Sequence, residues 1–383
     1  MGIPVVHVVS RFWVGGSERQ FIERLRAHPA GYDPIVACLE LSGGNLADFL
    51  ALGLPAPSVF PLQGSLLRPN TLKQIWRLSR LIKESGARIV HGTEFISNFM
   101  ALFAGRVARV PVVVSRVDLG HLREGFGKKH RAVEKWMSRT ADAVSTNAEA
   151  VRRLCIEEER SAPSRTVVIP NGIDLIRFDE LTTKPLQGPL PQGKPLVAVV
   201  ANLWPVKGHR TLLDAIAIVR ERRPEVRFAL VGDGPEREEL QLRAAALGLG
   251  ESVSFLGTRY DVPAILARAD AFCLPSLAEG LPNAVMEAMA ARLPVVASAV
   301  GGVPELVDAQ NGFVVAPGKS EPLAARLLQV LGDPAEAAQM GERGRRKIAR
   351  DYSLQRLADR QRRLYDGLIV QSRSDVGVTA INP

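Results

Sequence analysis

Residues 275–303 read PSLAEGLPNAVMEAMAARLPVVASAVGGV, and their pattern decides the fold class. The strand formers Ala271–Leu274 come just before, and a loop holding Ser276, Glu279 and Gly280 follows them. Leu281, Pro282 and Asn283 then open an amphipathic helix, and residues 294–298 read as the next strand. A strand, a helix and a strand in this order make a parallel crossover. Pro282 suits the first helical position, where its missing N–H costs nothing. The amides just beyond it point back into the loop, and such a helix start attracts phosphate. Glu279 precedes the helix and Glu287 lies one turn beyond Asn283, so both carboxylates can face a ligand at that end. Two acids beside an anion site fit charge-assisted bonds to sugar hydroxyls. Taken as isolated residues, they read equally well as a turn cap and a solvated helix position.

Working outward, strand patterns recur at residues 5–10, 34–39, 58–61, 87–91, 110–115 and 143–146, with helical patterns between most of them. A second series occupies residues 196–201, 226–231, 252–255, 271–274, 294–298 and 312–315. This alternation is a doubly wound α/β rhythm, repeated. Between the two series, residues 182–195 are rich in Pro, Gly and Thr without apolar period, which reads as a linker and a domain boundary. Residues 352–368 form a last helical pattern, and the polar tail beyond residue 372 reads as loose.

A chain of 383 residues is comfortable for two domains. Its 46% apolar and 23% charged content is that of a soluble globular protein. Cys38, Cys155 and Cys273 are odd in number and far apart, which suggests neither a disulfide framework nor a zinc site. The first residues lack the charged leader of a signal peptide, and no run reaches about 20 apolar residues. The expected location is therefore cytoplasmic. The net charge of +9 is uneven: residues 1–185 hold 25 Lys+Arg against 18 Asp+Glu, the remainder 24 against 22. Lys128, Lys129, Arg131, Lys135 and Arg139 share one helical segment with Trp136. Such a segment reads as a solvated helix face, or as a contact for an anionic membrane or a nucleic acid. No nucleic-acid module accompanies it, so nucleic acid is not an expected partner.

Three further motifs bear on chemistry. Gly15 and Gly16 end the loop after the first strand, where paired glycines permit positive φ and close approach to a ligand, or make a turn. Lys207 and Gly208 follow the strand that ends near Asn202, the position where open α/β sheets bind ligands, and a diphosphate is the natural partner of that lysine. The segment LVGDGPERE at residues 230–238 contains Gly232-x-Gly234, but Arg237 stands where a dinucleotide fingerprint needs its third glycine. A nicotinamide oxidoreductase is thereby disfavoured.

EGLPNAVMEA at residues 279–288, framed by PVVAS at 294–298 and GGVPELV at 301–307, resembles the donor-binding motif of family 4 glycosyltransferases. The resemblance spans almost the whole chain and is closest over residues 196–315. In the first half it rests on GGSERQ at 15–20 and IPNGID at 169–174. It implies an α/β fold of GT-B type, with two Rossmann-like doubly wound domains facing each other across a cleft. Residues 1–185 would form the acceptor-side domain, 186–195 the linker and 196–352 the nucleotide-sugar domain. A helix at 353–372 would cross back to the first domain, ahead of a loose tail at 373–383.

The resemblance also implies site roles. Lys207 would hold the diphosphate, Glu287 the ribose hydroxyls and Glu279 the donor sugar. Amides around Gly280, Leu281, Pro282 and Asn283 would meet the phosphates, Arg259 would lie near the base, and Gly15 and Gly16 would approach the donor. Two positions depart from the family pattern: Asn202 stands where an arginine is usual, and Val117 where a histidine is. Arg210, Arg11 or Arg116 could restore the first charge. His91, Glu94, Arg116, Asp118 and His121 are candidates for the reacting centre, with His91, Arg116 and Asp118 placed beside Lys207 and Glu279 as the catalytic set.

The implied activity is retaining, metal-independent transfer from a nucleotide sugar to a glycan or lipid-linked acceptor, in cell-surface polysaccharide or glycolipid assembly. The nucleotide sugar is a substrate, so no cofactor is expected. The absence of Asp-x-Asp from the chain agrees with a site holding no metal. The basic first half makes an anionic membrane surface, on the inner face of the cytoplasmic membrane, a candidate partner. A nucleotide-sugar epimerase on the same fold, and a nucleotide-sugar-binding protein without transferase activity, are the alternatives.

Overall fold

The computed structural model describes residues 2–13, 15–62, 66, 68–119 and 127–378, with side chains described to residue 371. His121 lies outside the described residues. The chain forms two compact units: residues up to Gly172 together with those from Leu354 on, and Ile173–Ser353.

The first unit is built on seven parallel strands: β1 Ile3–Val9, β2 Tyr32–Cys38, β3 Ser58–Val59, β4 Ile89–Gly92, β5 Val112–Arg116, β6 Ala143–Thr146 and β7 Thr166–Val168. Their order is β3-β2-β1-β4-β5-β6-β7. The second unit has six parallel strands: β8 Leu196–Val200, β9 Arg227–Val231, β10 Val253–Gly257, β11 Ala271–Leu274, β12 Val295–Ser298 and β13 Gly312–Val315. Here the order is β10-β9-β8-β11-β12-β13. Helices cover both faces of such sheets, so their inner strands are apolar throughout instead of alternating. LVAVV in β8 and AFCL in β11 show this. The chain winds outward from β1 in one direction and from β4 in the other, and likewise from β8 and β11. In such sheets ligands bind at the carboxyl ends of the strands beside this reversal.

Four expectations need correction. The unit boundary falls at Gly172, not at residue 185. The reason is burial: in the helix Leu175–Thr182, Phe178 is buried, and Asp179 pairs with Arg345 of the second unit at 2.6 Å. The Pro- and Gly-rich stretch after it belongs to the second unit too, since the Gln187 amide donates to Asp261 at 2.7 Å. β7, within VVIPNGID, is an additional strand that the sequence pattern does not reveal. The last helix, Leu354–Val378, extends well into the segment expected to be a loose tail. Finally, the helix Asn283–Ala290 is not amphipathic, because every residue from Val285 to Ala290 is buried.

The last helix docks on the first unit through polar as well as apolar contacts. Tyr365, Leu368 and Ile369 pack with Val5, Ile89, Val113 and Ala143. The Tyr365 hydroxyl meets His91 Nδ1 at 2.8 Å, and Gln361 Nε2 donates to that hydroxyl at 2.9 Å. His7 stacks obliquely on His91, ring centres 5.7 Å apart. Arg24 Nη1 donates to Ser115 Oγ at 3.2 Å. Two imidazoles are thus buried beside a guanidinium, and they stay neutral. Burial, then the Arg24 and His28 charges, pulls His7 from 6.5 to about 3. Burial, then Arg24 and His7, holds His91 well below 6.5.

Both folded values are depressed, so an unfolded chain takes up these protons first as pH falls. The stabilisation is complete above about pH 6.5 and is lost below it, at up to ~1.4 kcal/mol per pH unit for each histidine. Urea unfolding of the first unit should therefore show a midpoint that drops from pH 7 to pH 5. His7→Gln should flatten that slope, and an equal slope in the variant would contradict the assignment.

Candidate functional site

At the reversal point of the second sheet, the loops leaving β8 and β11 are tied together by backbone. The Leu277 amide donates to Val206 O at 2.7 Å. Gly208 has φ of +69°, and a Cβ on it would stand 2.1 Å from the Pro275 carbonyl oxygen. Only glycine satisfies both conditions. The β8 loop is held on its other side as well. Leu203 is buried, its amide donates to Asp233 O at 3.0 Å, and its carbonyl accepts from the Glu236 amide at 3.1 Å. A Cβ on Gly232 or Gly234 would strike the Ala201 or Leu203 carbonyl, at 2.1 and 2.5 Å. The glycines of VGDGP thus serve close backbone packing against the loop that carries Lys207.

This bracing brings Lys207 and Glu279 together. Lys207 Nζ lies 2.6 Å from Glu279 Oε1, and Ser276 Oγ donates to the same oxygen at 2.7 Å. The Glu279 side chain is nearly buried, that of Lys207 a quarter exposed, and Ser276 fully buried. A partly exposed pair contributes about 0–1 kcal/mol, so turning the ammonium toward another anion costs little. The turn after Glu279 is pinned by Gly301, whose φ is +51° and whose Cβ would stand 1.8 Å from Glu279 O. The Gly302 amide donates to Gly280 O at 2.6 Å. Leu281 is buried beneath the turn.

Pro282 is the cap of the helix Asn283–Ala290, not its first residue, with extended φ of −74° and ψ of 116°. Its carbonyl accepts the first helical bond, from Met286 at 3.3 Å. The amides of the first turn therefore face the loop, as they would with proline one position later. Glu287 projects from this helix and is 6% exposed, which excludes the solvated reading.

Sequence matches with known proteins follow the two units. Residues 15–172 match a family model described as a glycosyl transferase 4-like domain, and residues 182–347 match glycosyl transferases group 1. EpsF of Bacillus subtilis, assigned as a glycosyltransferase, is 30% identical over 348 residues, covering 84% of this chain and 85% of that one. The chain belongs to glycosyltransferase family 4. The Escherichia coli UDP-Gal:alpha-D-GlcNAc-diphosphoundecaprenol alpha-1,3-galactosyltransferase is 28% identical across 96% of this chain and 98% of its own. The crystal structure of Anabaena HepE in complex with UDP superposes with a TM-score of 0.80, at 25% identity over 96% of this chain and all of that one. The glycosyltransferase thus has the GT-B fold, each of its units a Rossmann-like sheet.

The other expected site residues of the glycosyltransferase have their own partners or settings within each unit. Arg116 is buried at the end of β5, where its guanidinium meets Glu134 at 3.1 Å and Glu159 at 2.6 Å. Burial opposes its charge, but Glu159, Glu134 and Asp118 more than offset this and hold its pKa above the usual arginine value. It is an internal counter-ion, not a group presented to a substrate. His91 is buried with its ring nitrogens on Tyr365 and Ser115, the second at 2.9 Å, so it too is structural. Asp118 is partly exposed, 3.7 Å from Arg116, and of the three first-unit residues expected to be catalytic it alone has an accessible carboxylate.

Arg259 is engaged within its own unit. It grips Asp261 with two nitrogens, at 2.7 and 2.5 Å, and donates to Gly188 O at 3.2 Å. Arg210 pairs with Glu236 and Glu239 at 3.1 and 2.6 Å, and Arg11 with Glu40 at 3.3 Å, both through exposed guanidinium groups. Asn202 itself is exposed beside the β8 loop. Gly15 has an extended φ of −144°, so its need is not a left-handed turn. A Cβ there would stand 2.3 Å from the Glu18 carboxylate, which folds back over the helix start. Gly16 is the first residue of that helix, Gly16–Arg26.

His209 has no counterpart among the expected residues. It opens the helix His209–Arg222, is 1% exposed, and finds no partner for either ring nitrogen among the described residues. Burial, then the Lys207 charge, lowers its pKa to about 4, so no second cation sits beneath Lys207 at neutral pH.

Gly208→Ala tests the bracing. A clash with backbone and a left-handed φ should together cost more than about 2 kcal/mol. Urea unfolding should show that loss, and nucleotide binding to the remaining folded protein should weaken. Unchanged stability would contradict the close approach of the two loops.

Proposed function

We propose that this glycosyltransferase moves a sugar from a nucleotide-sugar donor to a hydroxyl of a glycan or lipid-linked acceptor, with retained configuration and no metal ion. The carrying observation is the Lys207–Glu279 pair at 2.6 Å across the β8 and β11 loops, beside the start of the helix Asn283–Ala290. A cation and a turn of helical amides at one point suit a diphosphate. The nearly buried Glu279 and Glu287 suit sugar and ribose hydroxyls. Anabaena HepE, crystallised with UDP, and the E. coli enzyme named for UDP-Gal support this choice of donor. The diphosphoundecaprenol acceptor in that enzyme's name supports a lipid-linked acceptor and a place in polysaccharide or glycolipid assembly.

In the reaction the bond from the anomeric carbon to the diphosphate oxygen breaks, and a bond from that carbon to the acceptor oxygen forms on the same face. The departing diphosphate takes the acceptor's proton, and the nucleoside diphosphate leaves. Negative charge on the leaving oxygen grows as the bond breaks, so a fixed cation there lowers the barrier. Lys207 supplies that cation. Glu279, released from the ion pair as Lys207 turns to phosphate, keeps Ser276 as donor and orients the sugar. Asn202 leaves the diphosphate one positive charge short of the family pattern, so Lys207 carries a larger share of the work.

Lys207→Ala should lower turnover by about 10²–10³-fold, the scale of removing one donor from such a site, with a smaller change in donor KM. Release of nucleoside diphosphate from UDP-sugars, measured with and without EDTA, reads both points. Unchanged turnover in the variant would remove Lys207 from the mechanism, loss of activity in EDTA would remove metal independence, and release of an epimer would favour the isomerase reading.

A further inference from the structure

Two neighbouring helices of the first unit present an unusual surface. In the helix Phe95–Ala108, Ile96, Phe99, Phe103 and Val107 fall on one stripe at helical spacing. Three of them are exposed, Ile96 by 37%, Phe103 by 36% and Val107 by 48%. Trp136 of the helix Lys128–Thr140 stacks on Phe103 with ring centres 5.6 Å apart and is itself 42% exposed. A continuous exposed apolar strip of this kind marks a contact surface.

Among the described residues, the charges that the second helix turns outward have one sign. Lys129 lies two turns before Trp136 on the same stripe, and Lys128 and Lys135 flank it. None of these three makes an ion pair among the described residues. The only carboxylate of that helix, Glu134, is 3% exposed and turned inward to Arg116 at 3.1 Å. On the adjoining helix Arg106 occupies Asp142 at 3.1 Å. The outward surface therefore combines aromatic rings with unopposed ammonium groups. A basic helix with Trp and Phe on the face it presents lies in the plane of an anionic membrane interface. Among the described residues no helix is long and apolar enough to cross a membrane, so any attachment there is made at a surface.

We infer that the Phe103–Trp136 strip and the lysines beside it form a docking surface for an anionic phospholipid bilayer. The aromatic rings enter the headgroup region while Lys128, Lys129 and Lys135 meet lipid phosphates. Glu134, fixed by Arg116, sets the rotation of the helix so that it is the carboxylate that turns inward. These residues all belong to the first unit and take no part in the proposed transfer chemistry.

Co-sedimentation with vesicles tests it, comparing phosphatidylcholine alone with phosphatidylcholine containing about one third phosphatidylglycerol. The wild type should bind the anionic vesicles and not the neutral ones, and added salt should weaken the binding. Lys128, Lys129 and Lys135 together changed to Ala should lower partitioning about a hundredfold, at about fivefold per charge. Phe103→Ala with Trp136→Ala should also release the protein, whereas Trp76→Ala, at an exposed tryptophan of another helix, should not. Unfolding midpoints and UDP binding should match wild type in all variants, which separates lost docking from lost folding and from failure of the donor reading. Absence of binding to anionic vesicles would overturn the inference. So would aromatic variants that bind as wild type does, or a short DNA duplex that binds more tightly than the vesicles do through the same lysines.

Discussion

The candidate site depends on one close approach, that of Gly208 to the Pro275 carbonyl. Had Gly208 a side chain, the loops leaving β8 and β11 would be pushed apart, and Lys207 could not reach Glu279. The remaining glycines act in the same direction. Gly232 and Gly234 seat the β8 loop from one side, while Gly301 seats the β11 turn from the other. A cation and a carboxylate are held on backbone that cannot relax, beside the first turn of a buried helix. Preorganisation of this kind lets an electrostatic site act on a charged transition state without first rearranging.

Much of this was legible in the sequence because it is local. The run of residues 271–303 announces strand, loop, helix and strand by composition alone, and twelve of the thirteen strands among the described residues show as apolar runs. Lys207 and Glu279 meet across two strand-end loops of the second unit, just ahead of the helix Asn283–Ala290. What the sequence does not show is how charged residues are partnered. Arg116 and His91 look like reactive groups at strand ends, yet the first neutralises Glu134 and Glu159 and the second bonds Tyr365 from 274 positions away. Arg259 likewise looks available until Asp261, two residues on, claims it. Burial of a charge is a property of the assembled unit, and no local pattern reports it.

The domain boundary fails for a related reason. A Pro- and Gly-rich segment reads as a linker when its backbone groups are assumed to be solvated, but here Asp261 accepts the Gln187 amide and Arg259 donates to the Gly188 carbonyl. The segment is thereby sewn to the second unit, and the chain changes unit earlier, at Gly172. The same buried charges shape the first unit's exterior. Because Arg116 draws Glu134 inward, the helix Lys128–Thr140 shows the solvent several cations and Trp136 but no carboxylate, so an internal ion pair decides the character of a surface.

The central claim is that the strand-end loops of the second unit bind the nucleotide diphosphate of a sugar donor. Calorimetric titration of UDP and UDP-glucose, alongside GDP and ADP, into wild type and Glu287→Ala tests it most directly. The expected result is saturable binding of one nucleotide by wild type, lost or weakened at least tenfold in a variant that unfolds at the wild-type midpoint, since a bond to a charged group is worth about 1.5–3 kcal/mol. Equal binding by both proteins would place the nucleotide away from these loops and contradict the account.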